Sequence, residues 1–343
     1  NKSVREFDIV TLDRVRKISI QADTDVWLEY AGEKGIHGAI LSYLSLKKEN
    51  FYMVENTVDG KFFVTARGWE DLSEILKSYE ELQVEIGEEL IGEFLQKEEI
   101  ARDFAGYYRL YEKYKSDYQI QEILDGNVIS GQLKTCCDMG KKASFEERFT
   151  VTEMLLEAVT ERISVFQKID EKTEKLYENL KLLKIFLQEK NSVEAMEQFV
   201  ASRRQALDAK ICSELLTAEE AAREEEQIRI LEEYFFQLKE LHISDVAEGI
   251  EQIGERFGNV CRLRNEKLKE TKKMLEQAFS FLEECFGEGQ ELLLFESGLT
   301  GDDRCSIFIS QYGCPSYFKH CELLLYSKKE NELRKECRDL LEE

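Results

Sequence analysis

A chain of 343 residues with 47 Lys+Arg against 70 Asp+Glu has a formal net charge of -23. It repels a phosphate backbone and an anionic membrane surface, which argues against nucleic acid as a partner, and its longest apolar runs, such as Leu292 to Phe295, are far short of a membrane span. One proline, Pro315, in a chain rich in Glu, Lys, Leu and Ala excludes a loop-dominated fold and predicts long unbroken helices.

Residues 1–22 read as an extended segment, ending in the strand-like alternation Arg16-Lys17-Ile18-Ser19-Ile20. The chain begins without a methionine and in mid-pattern, which reads as a cut from something longer. From Asp23 the period changes. Val26, Trp27, Tyr30 and Ala31 recur at three and four, Asp23, Thr24 and Asp25 are candidate N-caps, and Gly35 would stop the helix. A second helix starts near Ile36. Asp59-Gly60, between Tyr52-Met53-Val54 and Phe62-Phe63-Val64, predicts a short hairpin or an extended loop. Trp69, Leu72, Ile75, Leu76 and Tyr79 mark a strong helix, with shorter ones over 86–96 and 98–115, so that 23–125 forms a compact helical domain.

Residues 126–143, with Gly126, Gly131 and Gly140 and little periodicity, read as a linker. Beyond it one apolar stripe runs from Val151 through Phe166 and Leu176 to Leu187. Another spans Ile228 to Leu238, and a third Leu268 to Phe286. Stripes of this length predict antiparallel helical hairpins in coiled-coil-like contact, and Gly287, Gly289, Gly298 and Gly301 break the remainder of 144–343 into short helices. The fold class is therefore all-α: a small helical bundle, then long antiparallel hairpins, then a short-helix C-terminal region.

No site of covalent chemistry stands out. There is no G-x-x-x-x-G-K-S/T loop and no apolar strand ending in paired acids, so the chain by itself can neither cradle phosphates nor hold magnesium for ATP hydrolysis. His37, His242 and His320 are scattered. Cys305, Cys314 and Cys321, with His320, lack the short paired spacings of a zinc site, and no metal is expected. Nine irregularly placed cysteines without an apolar signal segment predict free thiols in a reducing, cytoplasmic setting. The residue that does stand out is Arg67, at the start of a helix, where its charge opposes the positive end of the helix dipole. It needs an anion: a neighbouring carboxylate such as Glu70 or Asp71, or a phosphate matched to its planar fork.

The stretches Asp25-Val26-Trp27-Leu28-Glu29-Tyr30-Ala31, Gly35-Ile36-His37 and Val64-Thr65-Ala66-Arg67-Gly68-Trp69-Glu70-Asp71-Leu72 resemble the helical lid of MoxR-type AAA+ ATPases. Gly38 and Ala66 stand where that family often has proline. The resemblance implies that 1–22 is the end of an ATPase core, 23–125 the lid, 126–143 a linker and 144–343 a helical extension similar to those of bacterial relatives. It further implies that Arg67 is the sensor-2 arginine contacting ATP phosphates. Within Thr11-Leu12-Asp13-Arg14-Val15-Arg16, Arg14 would be the arginine finger, with Arg16 second. ATP and Mg would belong to the full-length protein and its hexameric ring. The partners implied are proteins, von Willebrand A domain proteins among them. Unrelated to ATP, the same helices would suit a structural coiled-coil adaptor.

Overall fold

The computed structural model describes residues 21–57, 60–127 and 130–324; the fold is all-α, with one two-stranded hairpin among the described residues. The chain divides after Asp117 into two compact units.

The first unit is built from α1 (Thr24–Lys34), α2 (Gly38–Leu46), β1 (Met53–Thr57), β2 (Gly60–Val64), α3 (Ala66–Glu81), α4 (Glu88–Phe94) and α5 (Glu98–Tyr118, which runs just past the division). Asp23 caps α1, accepting from the backbone N–H groups of Asp25 and Val26, and Gly35 ends it in the left-handed region at φ 71°. The hairpin pairs Met53 with Val64 through to Thr57 with Gly60, so Gly60 lies within the strand rather than in the turn.

Three fully buried rings hold this unit together. Tyr43 of α2, Trp69 of α3 and Phe104 of α5 meet with centroids 5.2 to 5.8 Å apart, Phe104 edge-on to both partners. Such pairs add about 0.5–1.5 kcal/mol each beyond the area they bury. The polar tips are satisfied as well: the Trp69 indole N–H donates to the Phe51 carbonyl at 3.1 Å. The Tyr43 hydroxyl donates to Asp103, which Lys47 also grips at 2.6 Å.

The second unit contains α6 (Ile120–Asp125), α7 (Ser130–Gly140), α8 (Phe145–Lys190), α9 (Ala195–Cys212), α10 (Ala218–Glu240), α11 (Val246–Phe286), α12 (Gln290–Gly301), α13 (Asp303–Tyr312) and α14 (Pro315–Leu324). At 1.5 Å per residue, the 46 residues of α8 span roughly 70 Å. It pairs antiparallel with α11: Tyr177 stacks on Phe257, while Asp170 binds Arg264 further along. The α9–α10 hairpin closes a separate apolar cluster with Leu176, Leu183 and Leu187 of α8 and Ile253 of α11.

Four sequence expectations need correction. The segment 126–143 is no simple linker, since it contains α7, which packs on α11. The first unit ends at Asp117 and not near 125, because Ile120, Ile123 and Leu124 bury α6 among the helices that follow, against α8 and α11. Cys137 of α7 and Cys285 of α11 form a disulfide, so the thiols are not all free. Two residues 148 apart in sequence are brought side by side by tertiary packing, which spacing cannot reveal. Gly298 does not break a helix. It lies within α12 where a Cβ would come 2.2 Å from Leu156, so it is a close-approach position between helices.

Gly68 is a second such position: a Cβ there would sit 2.8 Å from the Phe94 carbonyl oxygen, which is backbone and cannot rotate away. Gly68→Ala is expected to lower stability by about 1–3 kcal/mol, read as a fall in the denaturant midpoint at unchanged m-value. An unchanged midpoint would mean that α3 and α4 are not pressed together there.

Candidate functional site

The strand β2 delivers the chain to Thr65, whose extended backbone and side-chain oxygen make it the N-cap of α3: its Oγ1 accepts from the Gly68 N–H at 3.3 Å. Trp69, Leu72, Ser73 and Leu76 form the buried face of α3. At 100° per residue, Arg67 lies about 200° from Trp69, on the opposite side. Its side chain is accordingly 89% exposed.

The surroundings of Arg67 are polar and balanced. Asp71, one turn on, faces its guanidinium at 3.6 Å, and both groups are solvated. An exposed pair of this kind is worth less than about 1 kcal/mol and leaves Arg67 able to exchange partners. The first turn of α3 carries no acidic residue to offset the dipole. Beside it, Lys34 at the end of α1 binds Glu70 at 2.6 Å and lies over the Tyr30 ring, and its hydrogen bond to Glu70 raises its pKa. The site thus presents two cations, Arg67 and Lys34, each held by one exchangeable carboxylate. It has charge and hydrogen-bond donors for an anion and no group arranged for bond-making.

Behind this surface lies a node that the sequence did not disclose. His37, which looked like one of three scattered histidines, caps α2: its Nδ1 accepts from the Ala39 N–H at 3.1 Å, which leaves Nε2 to donate to Glu80 at 2.8 Å. The backbone N–H of His37 donates to Ser73 Oγ, tying the start of α2 to the buried face of α3. Tyr108 and Lys115 also donate to Glu80. Burial alone would raise the Glu80 carboxyl, but the hydrogen bond from His37, with Lys115 and Tyr108, holds it down at about 2.

The other flagged residues are not brought together. Arg14 and Arg16 lie outside the described residues. Cys305 contacts Thr160 and Cys314 contacts Glu276, and burial pushes both thiols up to about 12. His320 binds Glu283. Among the described residues no group of three His, Cys, Asp or Glu could hold a metal ion, and no helix is long and apolar enough to cross a membrane.

No family model, curated protein or solved structure matches the chain.

Because the Glu80 carboxyl is lowered on folding, its contribution is fully present above the unfolded value near 4.5 and is lost as pH falls toward about 2. Glu80→Gln is expected to cost on the order of 2–3 kcal/mol at pH 7 and to flatten the acid limb of the stability curve between about pH 5 and 2. Chemical denaturation across that range checks it. An acid limb as steep as in the parent chain would refute the assignment.

Proposed function

We propose that this chain is the helical lid and C-terminal helical arm of a MoxR-type AAA+ ATPase with a chaperone-like or assembly role, coupling ATP state to partner binding. The observation that carries the reading is Arg67: an almost fully exposed arginine on the first turn of a helix whose opposite face is locked by a buried tryptophan. Its resting partner is a single solvated aspartate, so a polyphosphate can replace it at little cost. The order of elements supports the reading as well: a helix ending at Gly35, a His37-capped helix, a hairpin, then the Thr65-capped helix.

On this reading ATP and magnesium bind in a P-loop core elsewhere in a longer protein, Arg67 contacts the phosphates, and Arg14 serves the neighbouring subunit's site as a finger in a hexameric ring. The long helices α8 and α11 carry the lid's motion toward protein partners, von Willebrand A domain proteins among the candidates, in the cytoplasm. The second reading, a coiled-coil adaptor unrelated to ATP, draws on the Arg67–Asp71 pair itself, since an i,i+4 ion pair needs no ligand to explain it.

The test is hydrolysis by the protein of the full reading frame. Arg67→Ala and Arg14→Ala are each expected to lower kcat by about 10²–10³-fold, as for loss of one group that stabilises transition-state charge. Only Arg14→Ala should be rescued by mixing with subunits that supply a finger, and Arg67→Ala should leave the melting temperature unchanged. Residues 1–343 alone should hydrolyse no ATP. Hydrolysis by this chain that survives purification would overturn the proposal, and full activity of both variants would favour the adaptor.

A further inference from the structure

The apolar face of α12 is interrupted by an acid. Leu292, Phe295, Glu296 and Leu299 follow the i, i+3, i+4, i+7 spacing of a buried helix face, and all four are buried. Glu296 is 1% exposed, and among the described residues its Oε1 has no hydrogen-bond partner. On α14, which packs against α12 and α11, His320 is 2% exposed and its Nδ1 is likewise unpartnered. Its ring stacks on Phe279 of α11, which in turn meets Phe295 of α12 edge-on. A buried polar atom without a partner costs about 1–3 kcal/mol, so two in one small interface call for a reason.

Charge explains the difference between the two carboxyl groups that face α14. Glu283 of α11 is half-exposed and accepts from both His320 Nε2 and Lys319, so its anion is matched. Among the described residues Glu296 has no cation in bonding contact, and an unpaired anion in such a core is far costlier than the neutral acid. Among the described residues, the remaining groups around α14 are uncharged or engaged elsewhere. Tyr317 shares a hydrogen bond with Thr300 of α12, Cys321 lies beside Tyr317, and Glu276 of α11 accepts from Cys314 and from the Ser316 hydroxyl and backbone N–H at the start of the helix.

We propose that Glu296, His320 and Glu283 form a proton-linked latch that fastens α14 onto α11 and α12, closed while Glu296 carries its proton and Glu283 does not. The directions of titration agree. Burial raises the Glu296 carboxyl, only partly offset by His320, whereas His320 and Lys319 together hold Glu283 below the usual range despite burial. With α14 undocked both acids move back toward the ordinary carboxylate range. Below that range docking is lost as Glu283 takes up a proton, and above it docking weakens as the undocked form releases the Glu296 proton that the docked form retains. The latch is tightest in mild acid and looser at and above neutral pH.

Hydrogen exchange of the intact 343-residue chain tests this, with backbone protection of 316–321 compared with that of 303–312 in the same molecules and corrected for intrinsic rates. In the parent chain the ratio is expected to fall by at least about threefold between pH 5 and pH 8. Glu296→Gln, a neutral mimic of the protonated acid, should make the ratio flat over that range. Glu283→Gln should lower protection severalfold throughout and keep the slope. A ratio in the parent chain that does not change with pH overturns the proposal whether or not either variant folds, and so does a slope that persists in Glu296→Gln.

Discussion

The packing of one indole determines what the first unit can offer to solvent. Trp69 is gripped by Tyr43 and Phe104 and hydrogen-bonded to the Phe51 carbonyl, so α3 cannot rotate about its axis without breaking an aromatic cluster and leaving a buried N–H unpaired. That restraint fixes the direction of every other α3 side chain. Leu72 and Leu76 follow Trp69 inward, and Arg67 and Asp71 are left outside. Rotation about the axis is thus set by packing, while the Gly68–Phe94 approach and the His37–Ser73 bond resist its sliding. The arginine is therefore displayed by a rigid element and not by a loop, which is the condition a charge needs to read a ligand's position.

The second unit relies on a different device. Two long helices run antiparallel, and where α13 joins them the contact is polar: Arg264 of α11 binds Asp170 of α8 and the Tyr312 hydroxyl of α13, with its guanidinium lying over the Phe166 and Tyr312 rings. Helices this long could slip by a heptad with little change in apolar contact, and a half-buried ion pair seated among aromatic rings favours one register. The Cys137–Cys285 bond and the Leu156–Gly298 approach pin further elements at single positions.

Periodicity carried the fold. The cap at Asp23, the stop at Gly35 and the stripe from Val151 to Leu187 were legible because each follows a local periodicity or end rule of the helix. What could not be read depends on distant partners. The helix over 130–140 gains its place from α11, and His37 acquires its role only when α3 and α5 bring Glu80 and Tyr108 to it. Glu296 went unremarked in the sequence, although an acid in Leu292-x-x-Phe295-Glu296-x-x-Leu299 conflicts with the helical pattern around it; its burial comes from tertiary packing. Arg67 was conspicuous as a charge at the wrong end of a helix, and the fold supplies only a weak partner for it.

The central claim is that Arg67 is displayed for a phosphate. Its most direct test is a structure of the full-length protein loaded with a non-hydrolysable ATP analogue and magnesium. The account predicts the Arg67 guanidinium within hydrogen-bond distance of a phosphate oxygen, about 2.7–3.2 Å, with Asp71 displaced from it. An Arg67 still paired with Asp71 and remote from any bound nucleotide would contradict it.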